Sequence, residues 1–322
     1  MSDLRRIGGP PACDPDTILV VGCLRNEALR LPDFLAHHRR LGVGQFLLID
    51  NGSSDGSFAY LEAQPDVCLF QTDQPYSQSA CGVTWLNEVL AEHAIGRWVL
   101  ILDADELFVY PDFENRPLAD LVSYLSERDA DAMAAPMLDM YPAGPIAALD
   151  YQAGQSLLAA CPFFDTTGYD YIKTDNGCSL IARGGPRHRL FWDQYSRDFP
   201  SPFLMKIPFV RWNSGFALTA STHILKGATL APLTGLLMHF KFLQDFAFTA
   251  QTEAVRGEHF MSARQYGAYA DVLTRTPDLR AYWSGSDRFR DSRQLVDLHY
   301  MHAPDDWPND GPDDGPDDEP ES

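Results

Sequence analysis

The stretch Trp98-Val99-Leu100-Ile101-Leu102-Asp103-Ala104-Asp105-Glu106 constrains this chain more than any other. Five large apolar residues in a row, followed by three carboxylates within four positions, read as a buried strand with an acidic mouth. The run has the length of an interior strand in a parallel sheet covered on both faces. Ligands of open α/β sheets collect at the carboxyl ends of the strands, where Asp103 and Asp105 fall. In extended chain, residues two apart share a side, so both carboxylates face one ligand and Ala104 points away. Paired hard oxygen donors suit Mg2+ or Mn2+, ions usually shared between one or two carboxylates and substrate phosphates. A bare Asp-x-Asp also fits a solvated strand end, so the surrounding chain must decide.

Upstream, apolar runs alternate with helical patterns. Ile18 to Cys23 is followed by Arg25-Asn26-Glu27, then by a helix carrying Leu31, Phe34, Leu35, His38 and Leu41 with Pro32 near its start. Phe46 to Ile49 is followed by Asp50-Asn51-Gly52-Ser53-Ser54-Asp55-Gly56-Ser57, a tight loop able to approach a ligand. A short helix from Phe58 to Ala63, a strand from Val67 to Phe70 and a helix from Ser79 to Ala94 complete the pattern. This spacing makes a βαβ array and a mainly parallel sheet. Each polar cluster follows a strand, so all converge on one sheet edge.

Composition narrows the partners. Of the net charge of −20, nine acidic residues lie between Asp305 and Glu321, leaving −11 for the remainder. That argues against nucleic acid, which needs clustered Lys and Arg. A body this negative holds a phosphate only through a metal or a local basic patch. The six scattered cysteines lack a Cys-x-x-Cys and read as reduced thiols, which with the absent secretory signal and apolar span predicts a cytoplasmic protein with no transmembrane segment. Peripheral membrane contact stays open.

Beyond Tyr110 the pattern loosens. Leu118 to Ser126 reads as a helix and Ala132 to Leu138 as a strand; Tyr141 to Pro208 is rich in glycine, proline and aromatics, as a lid or acceptor face would be. Short strands are expected at Ser179 to Arg183, Phe209 to Trp212, His223 to Leu225 and Leu236 to Phe242, with helices at Asp245 to Arg256 and Ser262 to Thr274. Residues 1–16 are expected to be a disordered tail, 17–145 and 146–302 the two halves of one domain, and 303–322 a disordered acidic tail.

Arg25-Asn26-Glu27, Asp50-Asn51-Gly52-Ser53-Ser54-Asp55-Gly56 and Asp103-Ala104-Asp105-Glu106, in that order and spacing, resemble bacterial family 2 glycosyltransferases of the GT-A fold, in the branch with an Arg-Asn-Glu opening. The resemblance covers roughly the first 110 residues; Lys206-Ile207-Pro208-Phe209-Val210-Arg211-Trp212 and His239-Phe240-Lys241-Phe242 are similar to the same branch less specifically. It implies a GT-A-like, Rossmann-related α/β fold with an irregular acceptor-side half. It also implies inverting transfer of a sugar from a nucleotide-diphosphate sugar to a hydroxyl acceptor, saccharide or other. Residues around Glu27, Asp50 and Asp55, among them Arg25, Asn26, Asn51 and Ser53, would hold base and ribose. Asp105 would bind the diphosphate-bridging Mn2+ or Mg2+, with Asp103 nearby. Asn51 stands where many relatives carry a second aspartate.

Transfer requires a stabilised diphosphate and a base for the acceptor hydroxyl. Lys206 and Arg211 are candidates for the phosphates, as is the cluster Arg183, Arg187, His188 and Arg189 in its Gly-Pro loop. His239, in an apolar strand-like run, is the candidate extra metal ligand, with His223 its rival; either is equally a satisfied core histidine. Asp245 and Glu258 are the candidate bases. Tyr76, Trp85 and Trp212 are stacking candidates or core aromatics. Two other classes remain: a non-catalytic nucleotide-sugar- or carbohydrate-binding module, and an Asp-x-Asp phosphatase, in which the aspartate normally ends the first strand rather than the fourth.

Overall fold

The computed structural model describes residues 4–11, 14–173, 179–195, 197–219, 223–225 and 227–308. The first half runs β1 (Arg5–Gly8), β2 (Leu19–Leu24), α1 (Leu31–Leu41), β3 (Gln45–Asp50), α2 (Ser57–Glu62), β4 (Val67–Gln71), α3 (Val83–His93), β5 (Trp98–Ile101), β6 (Glu106–Val109), α4 (Leu118–Ser126), β7 (Ala132–Met133) and β8 (Met137–Asp139). The second runs α5 (Leu157–Ala160), β9 (Phe163–Asp165), β10 (Tyr169–Lys173), β11 (Ser179–Gly184), α6 (Gly185–Phe191), β12 (Phe209–Arg211), β13 (Leu236–His239), α7 (Phe246–Arg256), α8 (Arg264–Arg275), β14 (Ser286–Arg288) and α9 (Ser292–Asp297).

Seven strands form the central sheet in the order β1-β4-β3-β2-β5-β12-β7. Its parallel middle, β4-β3-β2-β5, follows the 3-2-1-4 order of a doubly wound nucleotide-binding half. The α/β, Rossmann-related class expected from the sequence is the class observed. Strand alternation builds the two faces: Val20, Leu48 and Leu100 pack to one side with Leu31 and Phe34 of α1, while Val21, Ile49 and Ile101 pack to the other with Leu86 and Leu90 of α3. Gly22 is required where β2 passes β5, because a Cβ there would lie 2.5 Å from the Leu102 carbonyl oxygen.

Both expected tails need correction. Within 1–16, β1 pairs antiparallel with β4, Arg5 opposite Gln71, and so covers what would be an open sheet edge. At the other end, Trp307 is buried against Tyr124 and donates its indole N–H to the Pro111 carbonyl at 3.1 Å, so the body extends past Ala303. Residues 309–322 lie outside the described residues, as do Cys13 and Cys178. Leu225 makes only an isolated bridge to Leu218 in place of the strand expected at His223 to Leu225. Among the described residues no helix is long and apolar enough to cross a membrane.

A second sheet, β6-β13-β8, stands directly after β5. His239 of β13 pairs with Glu106 of β6 on one side and with Asp139 of β8 on the other. One rung therefore carries three ionisable side chains. α1 secures the outer edge: His38 accepts from the Phe108 N–H at Nε2 (3.3 Å) and donates from Nδ1 to Phe34 O (2.8 Å), while His37 donates to Phe108 O (2.7 Å).

Candidate functional site

The loops after β2 and β3 are zipped together. Asn26 N donates to Ser53 Oγ (2.9 Å), Ser54 N to Asn26 Oδ1 (2.8 Å), Glu27 N to Ser57 Oγ (2.8 Å) and Ala28 N to Asp55 Oδ2 (3.0 Å). Arg25 donates to the Asn51 carbonyl (2.9 Å). The polar groups of Asn26, Ser53 and Asp55 thus shape the loop through bonds to its own backbone. Asn51 is also engaged: its Nδ2 donates to the Thr72 and Gln74 carbonyls, and its Oδ1 accepts from Arg256 (2.9 Å). Asp50 is different. It is buried at the end of β3, its Oδ2 accepts from Ser53 N (3.1 Å), and its Oδ1 has no partner among the described residues.

The acidic mouth is a turn rather than extended chain, closed by Glu106 N donating to Asp103 O (3.1 Å), so the alternation expected for Asp103 and Asp105 does not operate. The turn instead recruits a third carboxylate. One donor atom each from Asp103, Asp105 and Glu106 lie within 4.8 Å of one another. Asp103 is exposed, Asp105 nearly buried and Glu106 fully buried.

Cations surround this cluster. Lys206 is buried and donates to Asp103 Oδ2 (2.7 Å) and Glu106 Oε1 (2.6 Å). Asp105 Oδ2 lies 3.2 Å from His239 Nε2 and 3.3 Å from Lys241 Nζ. On its far side His239 Nδ1 meets Asp139 Oδ1 at 2.5 Å, and Asp139 Oδ2 accepts from Arg187 Nε at 2.7 Å. Burial pushes the Glu106 carboxyl up to about 7, against the pull of Lys206. Burial would raise Asp105 too, but His239 and Lys241 outweigh it and hold that carboxyl well below the usual range. Glu27 is pushed up to about 8 by burial, with Arg30 opposing and Asp105 adding to the rise.

Arg30 clamps the back of the site. It forks onto Asp245 (2.8 and 3.0 Å), reaches Glu27 at 3.2 Å and donates to the Phe240 carbonyl. Asp245 is therefore joined to the β2 loop. Glu258 turns the other way: its Oε2 accepts from Tyr76 N (2.6 Å) and Arg256 (2.9 Å), on the Asn51 side. Tyr76 packs between Trp85 and His259.

Other expectations are corrected by topology. β12 runs antiparallel to β5, with Arg211 opposite Trp98, so Arg211 sits at the amino end of β5 while Lys206 sits at the acidic mouth. Arg211 is not a site residue. Trp85 and Trp212 are core side chains. The Gly-Pro stretch opens helix α6 rather than a loop; Arg187 turns inward to Asp139 and Arg189 to Asp165, His188 meets Asp193 at the surface, and Arg183 donates to the Ser201 carbonyl. His223 stands near Lys206 and Asp103, its Nδ1 bonded to the Met205 carbonyl (2.7 Å), and burial lowers it to about 4.

Sequence reasoning placed Glu106 in the acidic mouth without giving it a role, and gave none to Lys241, Arg30, Asp139 and Arg256. Lys241 also carried a signal, being two residues beyond His239 and so on the same side of an extended chain.

No protein family and no curated protein matches this chain. Among solved structures, a 4-diphosphocytidyl-2C-methyl-D-erythritol synthase aligns at 17% identity and TM-score 0.28, over 45% of this chain and 68% of its own. A Bacillus anthracis protein named as a glucose-1-phosphate thymidylyltransferase, in complex with a sucrose, aligns at 9% and 0.31, over 79% and 83%. Likeness this distant carries no argument about chemistry, and the site must speak through its own residues.

Proposed function

We propose that this chain is a metal-dependent, inverting glycosyltransferase that moves a sugar from a nucleotide-diphosphate sugar to a hydroxyl acceptor. The observation that carries the reading is the cluster of Asp103, Asp105 and Glu106 at the carboxyl edge of a parallel sheet, beside the loops that end in Glu27 and Asp50. The orphaned Asp50 Oδ1 supports a ligand donor group at the base or ribose end.

The residues fit Mn2+ or Mg2+. The carboxylates of Asp103, Asp105 and Glu106 supply oxygen donors, and His239 Nε2 adjoins Asp105 as a nitrogen donor. Around it stand six carboxylates (Glu27, Asp103, Asp105, Glu106, Asp139 and Asp245) against Arg30, Arg187, Lys206 and Lys241. Burial raises two of these carboxyls, Glu27 to about 8 and Glu106 to about 7, so the other four only balance the four cations, and a divalent ion would add the positive charge a diphosphate needs. Asp103, Asp105 and His239 are the proposed metal residues, with Glu106 close behind. The ion would supply charge neutralisation on the departing diphosphate. Lys241, holding Asp105 by one contact, retains donors for the phosphates, whereas Lys206 is already spent on two carboxylates. Of the two acids, Asp245 is the better supported base, because Arg30 joins it to Glu27 at the Asp105 end while Glu258 faces Tyr76 and Asn51.

Lys206 favours one competing reading: an ammonium already lying between Asp103 and Glu106 suits a metal-independent nucleotide-binding module. A thermal-shift screen of nucleotide-sugars with Mn2+ or with EDTA separates them. A donor at 100 times its Kd adds about 2.7 kcal/mol of stability. The proposal expects a shift with Mn2+ that EDTA and Asp105→Asn abolish, followed by release of nucleoside diphosphate. Equal shifts in all three conditions refute it.

A further inference from the structure

We infer that Asp139 and Arg187 are positioning residues for the metal site, acting through His239. The inference rests on the proposed metal site and extends it into the half of the chain that looked like an acceptor face. Arg187, Asp139 and His239 are all buried, at 4%, 1% and 3% exposure, so their polar atoms depend on one another for partners.

Asp139 has two donors to satisfy. Its Oδ2 accepts from Arg187 Nε (2.7 Å) and its Oδ1 from His239 Nδ1 (2.5 Å). The backbone fixes the geometry: His239 and Asp139 share a rung of the parallel β8–β13 pair, and Met140 N donates to the His239 carbonyl at 2.9 Å. The proton on Nδ1 is thereby assigned, and Nε2 is directed at Asp105, 3.2 Å from Oδ2. At that separation both atoms would be able to hold one small divalent ion. A histidine that ligates through one nitrogen characteristically gives its other N–H to a carboxylate, which sets both tautomer and ring orientation. Arg187 serves one step further back, since without a cation a fully buried Asp139 would lose its counter-charge.

An ordinary structural ion pair would hold α6 against β8 and do nothing else. The test therefore reads metal and tautomer as well as folding. Mn2+ binding to the nucleotide-free protein is measured by electron paramagnetic resonance for wild type, Asp105→Asn, Asp139→Asn and Arg187→Lys. Asparagine offers one acceptor where two donors point, so Asp139→Asn is expected to weaken Mn2+ about 10- to 100-fold. Arg187→Lys keeps the charge and should lose less. In wild type with Mg2+, 15N spectra should show His239 protonated at Nδ1 and unprotonated at Nε2, a readout that needs no variant to fold. If wild type and Asp139→Asn bind Mn2+ equally while Asp105→Asn does not, the positioning role falls and the metal site stands; if the proton sits on Nε2, the positioning role falls with His239 as ligand and the site keeps only its carboxylates. If wild type binds no Mn2+, both fall.

Discussion

Removing the ammonium of Lys206 tests whether the acidic mouth is a charge-balanced site. Lys206→Met preserves an unbranched chain of similar length but leaves Asp103 and Glu106 unpaired. The consequences differ. The Asp103 side chain is 53% exposed and rehydrates, whereas Glu106 is 0% exposed and cannot. Breaking a buried pair costs about 3–5 kcal/mol, and with one partner rehydrating the lower end, about 3 kcal/mol, is expected. Part of that loss should depend on pH. Burial already raises the Glu106 carboxyl from 4.5 to about 7 with Lys206 opposing, and without the lysine it rises further. A carboxyl raised on folding stays protonated where the unfolded chain has ionised, so stability declines as pH rises through that window. In the wild type this group's decline ends near 7; in the variant it continues upward at about 1.4 kcal/mol per pH unit. Between pH 7 and 8.5 the variant should therefore lose about 2 kcal/mol more than the wild type, read by urea denaturation in EDTA. Lys206→Met with Glu106→Gln should recover most of it, since a glutamine still accepts from Asp103 N, which now meets Glu106 Oε2 at 3.2 Å. Parallel pH curves, or no recovery in the double variant, would refute the reasoning.

Two further outcomes concern the body around the site. His37 is lowered to about 4 by burial, against the pull of its Phe108 bond, so the folded state excludes a proton that the unfolded chain takes up below about 6.5; stability is full above that value and falls by about 3 kcal/mol toward pH 4. His37→Gln should flatten acid unfolding over that range, and an unchanged slope would count against it. Trp307→Ala should cost about 3 kcal/mol in urea denaturation, as large aromatic truncations in a core do, and a loss under 1 kcal/mol would show that the segment merely rests on Tyr124.

The parallel sheet was legible because each of its strands is a short apolar run closed by polar residues. Val20 and Val21 face opposite cores, as period-two alternation requires. The edges were less legible. Ile7 is the one large apolar residue within Arg5 to Gly8, too little to mark a strand, and the backbone pairing with β4 defines this edge. Trp307 stands alone among acids and prolines, and a single buried ring gives no periodicity to read.

For the site, the sequence located the polar residues that follow β2, β3 and β5 and misjudged those that depend on how later strands pair. Lys206 and Arg211 are equivalent in a one-dimensional reading, both flanking Ile207 to Val210. Only the antiparallel pairing of β12 with β5 sends Lys206 to Asp103 and Arg211 to Trp98, at the far end of the sheet. Asp139 shows the same dependence more strongly. It lies 100 residues from His239 with no motif around it, and becomes a partner because β8 and β13 run parallel in register. The turn at Asp103 to Glu106 is the converse case, where local geometry overrode a pattern that was correct for a strand. A turn gathers the carboxylates at three of four successive positions into one cluster, whereas extended chain would send Glu106 to the side opposite Asp103 and Asp105, so the departure from the expected backbone is what brings Glu106 in.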